Sequence, residues 1–184
     1  MNKKVTILCF SPRKDGNCAK ISNFLTDFHK RTFVHSYFVD IQPCHGCNYE
    51  CLKPGENCPA LTEQEKIMLD CICNSDLVYF IVPNFCGYPC ANYFAFNERK
   101  VGYLNDRSRM AKYMDIPKKF ILISNSESDQ FKSAMQQQTK DEPRILYLKT
   151  SKYKKQSIAG DILDSNEAIT ELLEFIKDIN NVEE

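Results

Sequence analysis

Short apolar runs alternate along this sequence with segments of helical period, and this alternation constrains the fold more than any other feature. Nearly continuous apolar runs of four to six residues are typical of parallel strands that helices cover on both faces. Runs of this kind predict strands at Val5–Phe10, Leu77–Val82, Phe120–Ile123 and Ile145–Leu148, and a further strand is predicted at Phe33–Ile41.

The segments between the strands place apolar residues at intervals of three and four, so that these residues share one helical face. The predicted helical faces are Ile21–Phe28, Ile67–Ile72, Tyr88–Lys100 and Ile169–Ile176. Thr62 and Glu65 have the spacing of a capping box before the second face, and Asp164 and Glu167 have the same spacing before the last.

Strands and helices in this order predict an α/β fold, with a doubly wound five-stranded parallel sheet and helices on both faces. The sequence has no internal repeat, no low-complexity tract and no Pro/Gly/Ser linker that would divide it. We therefore expect a single domain that spans residues 1–184.

The charge balance and the length of the apolar runs exclude several classes of function. The formal net charge is +0 at pH 7, whereas nucleic-acid-binding domains usually carry a basic excess. The apolar run Leu77–Val82 is far shorter than the ~20 residues that a membrane helix needs. We expect a soluble, cytoplasmic protein with neither a nucleic acid nor a membrane as partner.

The loop after the first predicted strand has the composition of a phosphate site. It runs Ser11-Pro12-Arg13-Lys14-Asp15-Gly16-Asn17-Cys18 and leads directly into a helix. Helix-start amides and the helix dipole favour an anion at this place. Ser11 and Asn17 offer polar side chains, Arg13 offers a charged fork, and Gly16 permits a close approach.

Familiar nucleotide motifs do not explain the first loop. None of the six glycines belongs to a GxGxxG motif or to the GxxxxGK motif of a P-loop. A dense cluster of donors without paired glycines suits the single terminal phosphate of a mononucleotide better than a pyrophosphate. The alternative is an ordinary basic turn that Asn17 caps.

The segment SPRKDGNCAKISNFL resembles the SPRxxGNTxxL phosphate loop of the NADPH-dependent FMN reductase family. That resemblance implies a flavodoxin-like fold, FMN held by its phosphate, and NAD(P)H as a transient electron donor. It also implies a homodimer, for which the aromatic stretch 88–113 is a candidate contact. Cys18 stands where the family has Thr or Ser, so only its backbone amide would serve the phosphate.

A second segment, Pro83–Arg99, resembles the family sequence that contacts the flavin ring, sPvYfg followed by lKaFiDR. The resemblance assigns Pro83, Asn84, Phe85 and Gly87 to the ring. The loop that begins at Ser124 and includes 126–128 is expected to be a third contact. The alternative is that these aromatic residues belong to the core.

Four cysteines lie close together in the loop after the second predicted strand. They are Cys44, Cys47, Cys51 and Cys58, with the spacing Cys-x2-Cys-x3-Cys-x6-Cys. Such spacing is typical of metal ligands, and it resembles the cluster loop of the iron–sulfur flavoproteins with one extra residue after Cys47. A cluster or zinc site, a metal-free set of thiols and structural disulfides are the three interpretations.

These patterns together lead to one functional expectation and two alternatives. We expect an NAD(P)H-dependent flavin oxidoreductase that passes electrons through FMN to a small-molecule or protein acceptor. The first alternative is an iron–sulfur flavoprotein relay with a cluster on the Cys44–Cys58 loop. The second is a flavin-free binding module on the same fold.

Overall fold

The computed structural model describes residues 3–44, 46–53, 58–125 and 130–178. Its central sheet has six strands. They are β1 (Lys4–Cys9), β2 (Phe33–Phe38), β3 (Leu77–Phe85), β4 (Tyr88–Pro89), β5 (Lys118–Ser124) and β6 (Arg144–Lys149). Six α-helices connect them or follow them in these ranges: α1 (Asn17–Phe28), α2 (Glu63–Cys73), α3 (Ala91–Tyr103), α4 (Arg107–Asp115), α5 (Gln130–Gln136) and α6 (Asn166–Lys177).

Five of the strands are parallel and lie in the order β2-β1-β3-β5-β6. The two-residue β4 pairs antiparallel with the end of β3. The chain therefore reverses direction across the sheet between β1 and β3, which is the switch point of a doubly wound fold. This topology is flavodoxin-like, and it confirms the fold predicted from the sequence.

Side chains that alternate along β1 and β3 form two apolar layers, because successive residues of a strand point to opposite faces. Leu8 and Phe80 belong to the layer that includes α2 and α3, whereas Ile7 and Ile81 belong to the layer under α1 and α6. These central strands are buried on both sides, and for this reason their sequences read as continuous apolar runs.

Aromatic rings fill the layer between the sheet and α3. Phe10 stacks on Phe80 with ring centroids 5.6 Å apart and meets Tyr93 and Phe96 edge to face at the same distance. Phe80 also lies 5.1 Å from Phe120 on β5. The cluster packs α3 against three neighbouring strands, β1, β3 and β5.

A buried polar network holds α3 to the elements that follow it. The Gln138 side chain, fully buried, donates to the Tyr93 hydroxyl (2.9 Å) and accepts from Tyr113 (2.6 Å) and from Lys100. Burial, with the positive charge of Lys118 adding to it, lowers the pKa of Lys100 to about 7. The network satisfies polar groups that would otherwise be costly to bury.

Several element boundaries differ from the prediction. The helix predicted at 88–100 begins only at Ala91, because Tyr88 and Pro89 form β4. The predicted capping box at Thr62 and Glu65 is present. Before α6, however, the cap is Ser165, whose hydroxyl accepts from the Ala168 amide, and not Asp164. The sequence reasoning also did not assign α4.

In the ranges that the structure describes, no helix combines the length and the apolar character needed to cross a bilayer.

The half-buried His29 yields a prediction about acid stability. Burial, with Lys3 and Lys119 adding positive charge, lowers its pKa to about 4, whereas an unfolded histidine titrates near about 6.5. Between these two pKa values, His29 therefore binds a proton in the unfolded chain but not in the folded chain. This contribution to stability is complete above pH ~6.5 and is lost as the pH falls toward 4.

We expect His29→Gln to flatten the fall in the free energy of unfolding between pH ~6.5 and ~4.5, by about 1–2 kcal/mol after allowance for partial exposure. Urea denaturation across this range measures it. His35→Gln is the matched control, because His35 is exposed. Equal pH dependence in the His29 variant and the wild type would contradict the assignment.

Candidate functional site

Residues predicted for one site lie at the carboxyl ends of three adjacent strands. Ser11 follows β1, Pro83 and Asn84 end β3, and Ser124 ends β5. The Asn84 amide donates to the Ser124 hydroxyl at 2.6 Å, which joins two of these strand ends directly. In an open α/β sheet this edge, at the switch point, is where ligands bind.

The start of α1 has the features of an anion site. Gly16 is its N-cap, no side chain caps it, and its first turn contains no acidic residue. Within the described part of the chain, α2, α4 and α6 each begin with a side-chain cap, whereas α3, which starts at the same sheet edge, has none. An uncapped helix start offers amide donors and a positive dipole end to a ligand.

Ser11 and Arg13 lie beside this helix start. The nearly buried Ser11 hydroxyl accepts from the Arg13 amide at 3.3 Å, and an accepting hydroxyl keeps its own proton for another acceptor. The Arg13 guanidinium lies 3.7 Å from the carboxylate of Asp15, and both side chains are exposed. A cation held this loosely can turn toward a ligand at little cost.

The Asn17 side chain bonds to a distant segment of the chain, and the Cys18 side chain lies in the core, which leaves the Cys18 backbone amide as its predicted phosphate donor. The Asn17 amide donates to the Ser157 carbonyl (3.2 Å) and the Gln156 carbonyl (3.5 Å), and its oxygen accepts from the Ile162 amide (2.9 Å). The Cys18 thiol packs in the core under α1. Burial, together with nearby Cys9 and Cys90, raises its pKa.

A tight hairpin ends β3 and presents the second predicted segment. Cys86 (φ 52°) and Gly87 (φ 89°) both have positive φ, as a two-residue type I′ turn requires. The Gly87 amide donates to the Asn84 oxygen at 2.8 Å. Asn84 therefore links the turn to β5 through Ser124.

The aromatic residues of this region divide into a core set and an exposed set. Phe85 (61% exposed), Tyr88 (51%) and Phe94 (43%) present their rings to solvent. The rings of Tyr93, Phe96 and Tyr113 are fully buried within the chain. Within the stretch 88–113, four of the six aromatic rings are buried in the core, namely Tyr93, Phe96, Tyr103 and Tyr113. Tyr88 and Phe94 remain as its exposed candidates for a contact.

The four loop cysteines line one cavity of about 180 Å³ against the flank of α3. Glu98, seven residues beyond the start of α3, accepts from the Cys44 amide at 2.8 Å. Gly102, eleven residues beyond the start, has no room for a side chain, because an added Cβ would lie 2.4 Å from the Cys58 Cβ. At 1.5 Å per residue, the cavity is about 10–16 Å along α3 from the sheet edge.

Arg99 also lines this cavity, and it is buried. Its guanidinium donates to the Cys58 sulfur (3.4 Å) and to the Ala60 carbonyl (2.8 Å), and it lies 3.9 Å from the buried carboxylate of Glu65. Its Nε has no hydrogen-bond partner. Arg99 thus holds the cysteine loop to α2 and α3.

The thiols of this cavity are the type of ligand that a soft metal or an iron–sulfur cluster uses, but they are not arranged as metal ligands. All ten cysteines lie within the described residues and are free thiols, so the disulfide interpretation has no support in the structure. Burial and the neighbouring Cys47, Cys58 and Cys44 raise the pKa of Cys51. Across the described ranges, no three His, Cys, Asp or Glu side chains gather closely enough to hold a metal ion.

Sequence reasoning missed the segment 156–162, which binds Asn17 and lies against the first loop. It also missed the buried Arg99–Glu65 pair. The segment carries one usable signal, the isolated Gly160, whose φ of +69° marks a special backbone conformation. Residues 126–128 of the predicted third loop lie outside the described residues.

No protein-family model matches the chain, and no curated protein matches it. A solved structure does: FerB from Paracoccus denitrificans, a flavoenzyme NAD(P)H:(acceptor) oxidoreductase, with a TM-score of 0.54. The match covers 95% of this chain and 96% of that one at 13% sequence identity. At this identity the similarity demonstrates a shared fold over almost the whole chain.

Asn84 gives a prediction about the stability of this edge. Asn84→Leu removes the hydrogen bonds to Ser124 and Gly87, and we expect it to lower the free energy of unfolding by about 1–3 kcal/mol. Ser124→Ala removes one of them and should cost about half as much. Urea denaturation of both single variants and the double variant measures the coupling. Strictly additive losses would show that the two side chains do not interact.

Proposed function

We propose that this protein binds FMN at the carboxyl edge of β1, β3 and β5 and passes electrons from NAD(P)H through it to an acceptor. The observation that carries this proposal is the uncapped start of α1 at Gly16, directly beside Ser11 and Arg13. A flavin mononucleotide needs an anion site for its phosphate and a flat aromatic surface for its ring, side by side at one edge of the sheet. Few other ligands need both.

The residues of the edge take separate roles in this proposal. Arg13, the Ser11 hydroxyl and the amides of Asn17 and Cys18 hold the phosphate. Pro83, Asn84, Phe85 and Gly87, with Ser124 behind them, border the flavin ring. Bound FMN supplies the redox chemistry, so the protein has to bind and orient it and needs no catalytic acid or base for reduction.

Two further observations support this function. The NADPH-dependent FMN reductase family, which the first loop and the Pro83–Arg99 segment resemble, has the flavodoxin-like fold found here. The solved structure that shares the fold is itself a flavoenzyme NAD(P)H:(acceptor) oxidoreductase. By the same resemblance we propose a cytoplasmic homodimer whose acceptor is a small molecule or a protein.

The cysteine cavity supports a second candidate, an iron–sulfur flavoprotein relay. Cys44, Cys47, Cys51 and Cys58 all border one cavity, and thiolates are the ligands that iron–sulfur clusters use. Across the described residues, no three His, Cys, Asp or Glu side chains are grouped as metal ligands, and no step of the proposed activity is assigned to a cluster. Iron analysis of protein purified without air tests this candidate, which requires about four irons per chain.

Cofactor selectivity tests the proposed function as a whole. We expect apo-protein titrated with FMN, FAD and NADPH to bind FMN most tightly, by at least about tenfold, because the first loop offers one phosphate site and lacks GxGxxG. Flavin fluorescence or calorimetry measures the three affinities. A preference for FAD, or no flavin binding, would contradict the proposal.

Arg13 tests where the phosphate binds. We expect Arg13→Ala to weaken FMN by about 10–100-fold, the loss of a charge-assisted hydrogen bond to a phosphate. Riboflavin, which has no phosphate, should bind the variant and the wild type equally. Arg31→Ala is the matched control, because Arg31 is exposed beyond the other end of α1. Unchanged FMN affinity in the folded Arg13→Ala variant would show that the phosphate does not bind at this loop.

A further inference from the structure

The segment 156–162, which follows β6 and leads toward α6, is bound to the first loop through one side chain. Asn17 is buried, and its amide group bonds to three backbone groups of this segment: the carbonyls of Gln156 and Ser157 and the amide of Ile162. Because the Asn17 side chain bonds to all three groups, it holds α1 and segment 156–162 together. Separation of the two segments would leave these buried polar groups without partners.

Gly160 brings the same segment against the backbone of the loop. An added Cβ at Gly160 would lie 2.7 Å from the Asp15 carbonyl oxygen and 3.6 Å from the Gly16 Cα. Its φ of +69° also favours glycine. The backbone of segment 156–162 thus packs directly against Asp15 and Gly16, the two residues that precede α1.

The segment is connected in turn to the loop after β5. Lys155 pairs with Asp161 at 3.5 Å across the segment, and its amide donates to the Thr150 carbonyl at 2.9 Å. The buried Thr150 hydroxyl donates to the Ser124 carbonyl at 3.2 Å. Hydrogen bonds and one ion pair, together with the chain of segment 156–162 itself, therefore connect the start of α1 to the end of β5.

We propose that Asn17 and Gly160 are positioning residues, which hold the first loop in the shape that binds a terminal phosphate by means of segment 156–162. The inference rests on the proposed function, since it takes the first loop as the phosphate site. Amides that already point at the anion bind it without the cost of ordering the loop. In this role the Asn17 side chain acts behind the loop, and only its backbone amide faces the phosphate.

The competing interpretation is that Asn17 leaves segment 156–162 and donates its side-chain amide to the phosphate directly. The two interpretations predict opposite responses at Ile162, whose amide donates to Asn17. If Asn17 is a positioning residue, phosphate binding and the bond to Ile162 strengthen each other. If Asn17 is a ligand, phosphate binding breaks the bond and exposes the Ile162 amide.

The experiment compares FMN with riboflavin in two variants and in the wild type. We expect Asn17→Leu and Gly160→Ala each to weaken FMN by about tenfold or more while riboflavin affinity changes by less than about twofold. Asn166→Leu, an exposed asparagine at the start of α6, is the matched control and should leave both affinities unchanged. Melting temperatures establish that each variant is folded.

Hydrogen exchange in the wild type gives a readout that does not depend on variant folding. We expect FMN, but not riboflavin, to slow exchange of the Ile162 amide. Faster exchange with FMN, or a Gly160→Ala variant with wild-type FMN affinity, would overturn the inference, and so would equal losses for FMN and riboflavin. A wild-type protein that binds no FMN would instead reject the proposed function, and the inference with it.

Discussion

The parallel pairing of β1 with β3 is the interaction on which the site depends. Val5–Cys9 lie beside Leu77–Ile81, and the pairing continues one residue further where the Phe10 amide donates to the Ile81 carbonyl at 3.0 Å. Because β2 pairs with the other edge of β1, the chain must reverse direction here. Two loops of unrelated sequence, 11–16 and 83–87, are thereby placed side by side.

What distinguishes this edge chemically is the contrast between helix starts. Side chains cap α2, α4 and α6, whereas α1 and α3, which begin beside the switch point, have no such cap. In the proposed function, Asn17 and Gly160 position the start of α1, and its uncapped backbone amides bind the ligand. Different groups would thus stabilise the first loop and contact the ligand.

The sequence predicted β1, β3 and β5 because these strands are buried on both faces, which produces nearly continuous apolar runs. The edge strands β2 and β6 were also predicted, although they are more exposed. The sequence also predicted that the loop beginning at Ser11 joins the first strand to the first helix, and the structure has it there. The sequence did not predict the hairpin at the end of β3, because Tyr88 was assigned to a helix. It did not predict the role of the Asn17 side chain, which depends on segment 156–162, about 140 residues further along the chain. Within 88–113, composition alone does not distinguish the buried Tyr93 from the exposed Tyr88, because their burial depends on how α3 packs against the sheet.

A crystal structure of the protein with FMN tests the central claim most directly. We predict that the phosphate lies within hydrogen-bond distance of Ser11 and of the amides at the start of α1. The flavin ring should lie along Pro83–Gly87. We also predict that Asn17 keeps its bonds to segment 156–162. Flavin density at another place, such as the cysteine cavity against α3, or a phosphate distant from Gly16, would contradict the claim.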